Sequence, residues 1–161
     1  MVELGKERVT ETSVRSARGD FGRFLVETAH VDPRLAGVVV IIPVLNEEEA
    51  LPLVLDALPA VEAIIVVDNG STDRSAVIAA ERGAWVVHEP RRGYGAACWT
   101  GIEQARRMAE KGGNWRAVVF LDADNSDHPE ELPLVALPVL EDRADLVIGS
   151  RHLGRRERGA M

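Results

Sequence analysis

The chain has 161 residues, enough for one domain with a substantial core. Its 46% hydrophobic and 28% charged residues are typical of globular proteins, and its net charge of -7 argues against a nucleic-acid-binding protein, which normally has a basic face. No apolar run approaches the roughly 20 residues of a membrane-spanning helix, and the N-terminus lacks a signal-peptide pattern. We therefore expect a cytoplasmic protein.

The first 36 residues differ in character from the rest of the chain. They are mixed, charged and only weakly periodic, which predicts an arm or a disordered N-terminal extension over residues 1–36. The remaining residues, 37–161, are expected to form a single domain.

Five short runs of β-branched or apolar residues predict strands from Gly37 onward. The runs are continuously apolar, which is typical of parallel strands that helices cover on both faces. They are VVVIIP (Val38–Pro43), AIIVVD (Ala63–Asp68), WVVHE (Trp85–Glu89), AVVFLD (Ala117–Asp122) and DLVIGS (Asp145–Ser150).

The segments between these runs predict helices. Pro52 suits the first helical turn, and Ser71 or Thr72 is expected to cap a second helix that ends at Gly83. A third helix is predicted from Gly95 to Lys111, and the segment after Pro129 is expected to be a short or broken helix because it contains Pro133 and Pro138. The alternation predicts a doubly wound, mostly parallel α/β fold, Rossmann-like, in three α/β/α layers.

Cys98 is the only cysteine in the chain, so no internal disulfide can form. It lies among small and aromatic residues of the third predicted helix. We interpret it as a small apolar core residue rather than a reactive thiol.

Three aspartates, Asp122, Asp124 and Asp127, lie at and just after the end of the fourth predicted strand, at the edge of the sheet where α/β folds bind ligands. The carboxylates of Asp122 and Asp124 can converge, and at a separation of ~5 Å they would repel by roughly 3 kcal/mol at an effective dielectric of 20. A divalent ion such as Mg²⁺ or Mn²⁺ would reverse this, since it binds carboxylates together with substrate phosphates. The alternative is a solvated turn, the role we expect for Asp127.

The other strand ends leave alternatives open. Asp68 could cap or form a turn, or it could accept hydrogen bonds from a base or a ribose. Glu47 is either a surface charge favoured by a helix dipole or a ligand contact. The glycine-rich loop RRGYGAAC follows the third strand and ends in cysteine, which argues against a dinucleotide fingerprint. A flexible loop with Arg91 or Arg92 near a phosphate is the better interpretation.

Five segments then occur in a characteristic order between Val38 and Arg151: VVVIIPVLNEEEALPLVLDAL, IIVVDNGSTDRS, RRGYGAACWTGI, VVFLDADNSDHPEEL and VIGSR. Together they resemble the inverting family 2 glycosyltransferases, especially the branch that transfers sugars to polyprenyl or dolichyl phosphate. The resemblance implies a GT-A nucleotide-sugar-binding fold, Mg²⁺ or Mn²⁺ as cofactor, and a UDP- or GDP-linked sugar donor. It also implies a lipid-phosphate acceptor, which would place the protein peripherally at a membrane surface.

The resemblance also implies roles for individual residues. Pro43 and Glu47 would line the nucleoside pocket, Asp68 would contact the base or the ribose, and Arg151 would assist with the phosphates. Asp122 and Asp124 would hold the metal and the diphosphate. The implied nucleotide-sugar site comprises Pro43, Leu45, Glu47, Val67, Asp68, Asp122, Ala123, Asp124 and Arg151.

The sequence departs from the family pattern in two places. Tyr94 stands where the family often has lysine, and family members continue well beyond RRERGAM with acceptor-side residues and often the acidic base. We therefore expect a chain truncated at its C-terminus, with no general base that can be named. The basic tail from Arg151 to Arg158 would begin an acceptor-side loop or be a solvated terminus.

Two other functional classes compete with a glycosyltransferase. A non-catalytic nucleotide-binding or interaction module would bind the donor without transferring the sugar. A phospho-accepting receiver-type domain would need a lysine at the end of the fifth strand, where this chain has Ser150 and Arg151.

Overall fold

The computed structural model describes residues 32–150. These residues form four strands and four α-helices that alternate along the chain. The elements are β1 (Val38–Val44), α1 (Leu51–Ala57), β2 (Ala63–Asp68), α2 (Ser75–Glu81), β3 (Trp85–His88), α3 (Tyr94–Glu110), β4 (Ala117–Phe120) and α4 (Leu132–Leu140), with 3₁₀ turns at Pro33–Leu35 and Pro129–Glu131.

The four strands form one sheet in the order β3-β2-β1-β4, and every pairing is parallel. Ile41 in the central strand β1 lies in register with Ile65 of β2 and Phe120 of β4. Since the strands are parallel, their carboxyl ends lie at the same edge of the sheet. The predicted parallel α/β fold is confirmed.

Helices cover both faces of the sheet, and successive residues of β1 alternate between two cores. Val38, Val40 and Ile42 pack in the core that includes α1, α2 and α4, whereas Val39 and Ile41 pack in the core beneath α3. All five side chains are fully buried. The predicted three-layer α/β/α arrangement is therefore confirmed.

Helix α3 approaches the sheet closely at Gly101. A Cβ atom on this residue would lie 2.3 Å from Cγ2 of Ile41 and 3.3 Å from Cγ2 of Val67. Only glycine permits this approach, because any side chain would overlap a buried residue of the sheet. The contact brings the N-terminus of α3 towards the carboxyl ends of the strands.

The strand predicted at Asp145–Ser150 is wrong. The structure has no strand there, and the side chains of Leu146 and Ile148 are 74% and 78% exposed. Their apolar pattern suits a buried strand, but such a strand needs a paired neighbour and a covering layer, and the described residues provide neither. Val118 and Phe120 of the edge strand β4 are accordingly exposed as well.

The start of the described chain packs on the domain. Leu35 lies within the predicted N-terminal extension, yet it is fully buried in the core that includes α4. The rest of that extension, residues 1–31, lies outside the described residues.

Two helix predictions need correction in detail. Helix α2 begins at Ser75, later than a cap at Ser71 or Thr72 would place it. Helix α4 is short, as predicted, but Pro138 lies inside it without breaking it. Within residues 32–150, no helix combines the length and apolar character required to cross a bilayer.

Candidate nucleotide-sugar site

A cavity of about 300 Å³ lies at the carboxyl ends of β1, β2 and β4. Six of the nine residues predicted for a nucleotide-sugar site line it, and they come from the end of β1 and from the segment after β4. These residues are Pro43, Leu45, Glu47, Asp122, Ala123 and Asp124. The sheet edge thus brings together side chains that are about 80 residues apart in sequence.

Three of the residues that line the cavity are acidic, namely Glu47, Asp122 and Asp124. The pKa of Glu47 is raised, first because burial disfavours its charged form and then because Asp124 and Asp73 lie nearby. This carboxyl group therefore lies in a field of like charge, which a cation would relieve.

The loop that carries Glu47 is fixed by hydrogen bonds to the loop after β2. Asn46, with a positive φ of 59°, accepts a hydrogen bond from the Thr72 backbone N–H at 2.8 Å and donates its own N–H to the Ser71 hydroxyl at 3.0 Å. The Glu47 N–H donates to the Ser75 hydroxyl at 2.8 Å. Ser71 and Thr72 therefore join the two loops, and this is why they do not cap α2.

Asp73 holds the first residue of α2 instead. Its Oδ1 accepts hydrogen bonds from the backbone N–H of Ser75 at 3.0 Å and from the Ser75 hydroxyl at 2.6 Å. Its Oδ2 accepts from the Glu48 N–H at 3.1 Å. The same carboxylate therefore stabilises the helix start and the loop that positions Glu47.

The loop before α3 and the first turn of that helix also line the cavity. Arg92, Gly93 and Tyr94 line the cavity there. The Tyr94 hydroxyl donates a hydrogen bond to Asp122 Oδ1 at 3.1 Å. Burial, and next the Asp122 charge, raise the pKa of Tyr94, so the phenol stays protonated and acts as the donor.

The two arginines of this loop have different surroundings. Arg91 binds Glu89 through its side chain, with Nη2 2.8 Å from Oε2 and Nε 3.0 Å from Oε1. Arg92 lines the cavity and has no hydrogen bond or ion pair with any residue between 32 and 150. Of the two arginines that the sequence left as alternatives for a phosphate contact, the structure places Arg92 at the cavity.

Glu89 anchors this arrangement. It is only 5% exposed, and its pKa is lowered to about 2, chiefly by the Arg91 side chain and then by the Thr100 hydroxyl. Both of these groups donate hydrogen bonds to the carboxylate, as does the Arg91 backbone N–H. The carboxylate is therefore charged and fully engaged at neutral pH.

Cys98 lies one turn into α3, close to Tyr94. It is half-buried rather than in the core, and burial raises the pKa of its thiol. A protonated thiol is a poor nucleophile, which agrees with the expected packing role.

The remaining predicted site residues do not line the cavity. Val67 is fully buried in the core beneath α3. Asp68 is 5% exposed; its Oδ1 accepts from the Ser71 N–H at 3.0 Å, and its Oδ2 lies 2.9 Å from His88 Nδ1. Arg151 lies outside the described residues.

The predicted site omits six residues that line the cavity, namely Val44, Asn69, Arg92, Gly93, Tyr94 and Ala97. Of these, Arg92 is present among the sequence expectations only as an alternative to Arg91 for a phosphate contact. Asn69 follows the end of β2 directly, so its place at the sheet edge was a usable signal. Tyr94 stands at the position where the family often has lysine, and no sequence pattern indicates its contact with Asp122.

Comparisons with known proteins identify the family of the chain. The model of the family described as glycosyl transferase family 2 matches residues 39–161. An uncharacterized glycosyltransferase of Mycobacterium tuberculosis is 46% identical over 115 residues, which cover 71% of this chain and 49% of the relative. The polyprenol monophosphomannose synthase of Mycolicibacterium smegmatis is 37% identical over 126 residues, covering 71% of this chain and 45% of the relative.

A solved structure is similar as well. Glucosyl-3-phosphoglycerate synthase from Mycobacterium tuberculosis, in complex with Mn²⁺, UDP and glucosyl-3-phosphoglycerate, matches with a TM-score of 0.51 and 33% identity. The match covers 64% of this chain and 39% of that chain. The same enzyme has been solved in complex with Mg²⁺ and UDP.

The chain spans about half the length of the curated relatives that it matches. Its sheet order, its cavity at the sheet edge and the family match over residues 39–161 all lead to one assignment. The chain belongs to glycosyl transferase family 2.

Proposed function

We propose that the described residues bind the donor of a metal-dependent glycosyltransferase, a nucleoside diphosphate sugar, at the cavity between β1, β4 and α3. Asp122 and Asp124 would hold a divalent cation, which would supply positive charge for the diphosphate. Arg92 contacts the phosphates. The sugar then passes to an acceptor with inversion at its anomeric carbon.

The observation that supports this proposal most is the distribution of charge across the cavity. Three acidic residues line the cavity, and Arg92 lines it as well. A diphosphate with a bound cation carries both signs of charge and complements both kinds of residue. An uncharged ligand would leave Glu47 with its raised pKa and the neighbouring aspartates uncompensated.

The residues present fit Mg²⁺ or Mn²⁺. Carboxylate oxygens are the hard ligands these ions prefer, and Mg²⁺ in particular is usually held by one or two carboxylates together with substrate phosphates and waters. No group of three or more His, Cys, Asp or Glu residues within positions 32–150 could hold a metal by itself. Asp122 and Asp124 would thus supply two ligands, and the diphosphate and water the others.

The side chains divide the chemical work. When bound, the divalent ion stabilises the negative charge that develops on the leaving nucleoside diphosphate. The Arg92 guanidinium stabilises the same charge, and the Tyr94 hydroxyl keeps Asp122 in place. An acceptor oxygen attacks the anomeric carbon from the face opposite the diphosphate, and the bond from that carbon to the diphosphate oxygen breaks.

The nucleoside extends from the diphosphate along the edge of the sheet. Pro43, Leu45 and Glu47 provide its nearest wall, and Asp68, at the end of β2, is the candidate for the base or ribose contact, beside the backbone of Val67. Arg151 follows as a further candidate for the phosphates. Uridine is the base we propose, since the similar synthase is solved with UDP.

The acceptor class is proposed from the relatives. The polyprenol monophosphomannose synthase shares 37% identity with this chain, which supports a polyprenyl phosphate as acceptor at a membrane surface. The similar solved synthase carries glucosyl-3-phosphoglycerate in its structure instead. The products named for both relatives carry a phosphate group. A transfer assay should therefore include both kinds of acceptor, a polyprenyl phosphate and phosphoglycerate.

Calorimetric and thermal-shift titrations test donor binding. With UDP at one hundred times its dissociation constant, a bound ligand stabilises the folded state by about 2.7 kcal/mol. We expect this shift with UDP and Mn²⁺ together, a much smaller shift with UDP alone, and a loss of the metal dependence in Asp122→Asn. Asp127→Asn is the matched control, because Asp127 is in the same segment but does not line the cavity.

The result that would overturn the proposal is a melting temperature that no combination of UDP, GDP or another nucleoside diphosphate with Mn²⁺ or Mg²⁺ changes. Binding without transfer to a polyprenyl phosphate or to phosphoglycerate would limit the role of this chain to holding the donor. Transfer to one of these acceptors would identify the acceptor class directly.

A further inference from the structure

The side chain of Asn69 is hydrogen-bonded to the backbone of the loop that carries Arg92. We propose that Asn69 is the positioning residue for this loop, residues 89–93, and that it acts on donor binding through Arg92. The inference rests on the proposed function, because it gives Arg92 the diphosphate as its partner. Nothing in the family match or in the relatives' names assigns a role to this asparagine.

The amide group directs both of its donor hydrogens and one acceptor site of its oxygen towards this loop. Nδ2 of Asn69 donates to the backbone carbonyl of Glu89 at 2.8 Å and to that of Arg91 at 2.7 Å. Oδ1 accepts from the backbone N–H of Gly93 at 2.8 Å. Since the residue is only 6% exposed, water does not replace these bonds easily.

These three hydrogen bonds, which we call the Asn69 clamp, hold the backbone on both sides of Arg92. The carbonyl before it and the N–H after it are both held by the same amide, so the backbone of Arg92 is fixed although its side chain is exposed. Gly93, with a φ of 126°, turns the chain directly into α3. The direction in which Arg92 leaves the backbone is thus set by Asn69.

A second clamp holds the neighbouring residue away from the cavity. Glu89 binds the backbone N–H and the guanidinium of Arg91, and the Thr100 hydroxyl of α3 donates to the same carboxylate. Arg91 is therefore committed to Glu89. The two clamps together select which of two adjacent arginines faces the cavity.

The chemistry requires an amide at position 69. An aspartate has the same shape, but when ionised it has no donor, and it would place a carboxylate oxygen against two backbone carbonyls. Asn69→Asp should therefore release the Glu89 and Arg91 carbonyls and let the loop change its conformation. Asn69→Ala removes all three bonds without adding a charge, and it serves if Asn69→Asp fails to fold.

The test is a double-mutant cycle on UDP affinity in saturating Mn²⁺, measured by calorimetry. Arg92→Ala and Asn69→Asp should each weaken binding by about tenfold, the size expected for a lost charge-assisted hydrogen bond. The double variant should bind UDP no more weakly than the single variant with the lower UDP affinity, because both changes remove the same contact. A merely structural role of Asn69 would add its effect to that of Arg92→Ala, and that additive result overturns the inference.

Asn46→Asp is the matched control for the added negative charge. In the described bonds of its side chain, Asn46 only accepts hydrogen bonds, from Thr72, so an aspartate keeps them while bringing the same charge near the same cavity. We expect its effect on UDP affinity to be clearly smaller than that of Asn69→Asp, and to add to that of Arg92→Ala. An equal effect would show that charge alone explains Asn69→Asp, and would overturn the inference.

Failure of the proposed function is distinguishable from failure of the inference. If the unmodified protein binds no nucleoside diphosphate, the proposed function falls and the link from Asn69 to the donor falls with it. If it binds UDP and Arg92→Ala weakens binding, only the cycle decides about Asn69. Hydrogen exchange of the Gly93 amide is a direct readout of the clamp, and it should become faster in Asn69→Ala than in the unmodified protein.

Discussion

The hydroxyl of Tyr94 and the carboxylate of Asp122 form a hydrogen bond of 3.1 Å that joins the first turn of α3 to the segment after β4. Tyr94 is 59% exposed, so the contact lies at the mouth of the cavity rather than in the core. Asp122 is also the first of the two proposed metal ligands. The phenol therefore leaves the second carboxylate oxygen of Asp122 available for the cation and fixes its direction.

Replacing Tyr94 by phenylalanine should weaken UDP binding in the presence of Mn²⁺ about twofold to twelvefold, the cost of one hydrogen bond of about 0.5–1.5 kcal/mol. The melting temperature should change little, because the hydroxyl is not part of the core. Calorimetry with and without Mn²⁺ measures the effect. Equal losses under both conditions would mean that Tyr94 contacts the nucleotide directly, and would contradict its role at Asp122.

The sequence sufficed for those features that depend on local pattern and on strand direction. Continuous apolar runs predicted the parallel strands, and the rule that ligands bind at their carboxyl ends placed Asp122 and Asp124 at the cavity. The contact of Tyr94 was not predictable, because it depends on how closely α3 approaches the sheet. The clamp of Asn69 on residues 89–93 depends in the same way on a loop conformation that no periodicity encodes.

The strand predicted at Asp145–Ser150 illustrates the limit of pattern reading. Its apolar residues, Leu146, Val147 and Ile148, are of types common in buried strands, but a strand also requires a neighbour with free backbone groups. The structure leaves Leu146 and Ile148 exposed in the part of the chain that it describes. An apolar pattern shows that a segment can form a buried strand. Whether the strand forms depends on the elements that pair with it and cover it.

Gly101 should tolerate no side chain. In Gly101→Ala the new methyl group would overlap Ile41, a fully buried residue, and we expect a loss of about 1–3 kcal/mol in the free energy of unfolding. Urea denaturation measures this. Gly95→Ala is the matched control in the same helix, since a Cβ there meets no atom within 4 Å.

The control should be neutral or stabilising, because alanine favours a helix over glycine by up to about 1 kcal/mol. The displacement of α3 in Gly101→Ala should also separate Tyr94 from Asp122 and lower the affinity for UDP with Mn²⁺. Equal stability of the two alanine variants would show that α3 does not lie as close to the sheet as the structure indicates.

Acid should destabilise the protein through Glu89. Its pKa in the folded protein is about 2, against an ordinary value of 4.5, so the charged form is favoured by folding. The corresponding stability is fully present above about pH 4.5 and is lost as the pH falls towards 2, because the unfolded chain takes up the proton first. Urea denaturation of the unmodified protein and of Glu89→Gln over this range isolates the contribution.

The difference in stability between these two proteins should shrink as the pH is lowered from 5 to 2. Glu130 also has a lowered pKa, through a backbone N–H and His128, and Glu130→Gln serves as a control at an exposed site. A constant difference between the unmodified protein and Glu89→Gln across the range would contradict the assignment of a low pKa to Glu89.

Replacing each of the two adjacent arginines by alanine should change different properties, the melting temperature in one variant and the UDP affinity in the other. Arg92→Ala should leave the melting temperature nearly unchanged, because Arg92 has no described partner in residues 32–150, but it should weaken UDP binding by about tenfold and reduce its dependence on salt. Arg91→Ala should lower the melting temperature, because it leaves the nearly buried carboxylate of Glu89 without its counter-ion. Its effect on UDP affinity should be the smaller one, arising only through the loosened loop. Thermal denaturation and calorimetry at two salt concentrations measure both quantities for both variants, and a larger loss of UDP affinity in Arg91→Ala than in Arg92→Ala would show that the loop presents the other arginine to the donor.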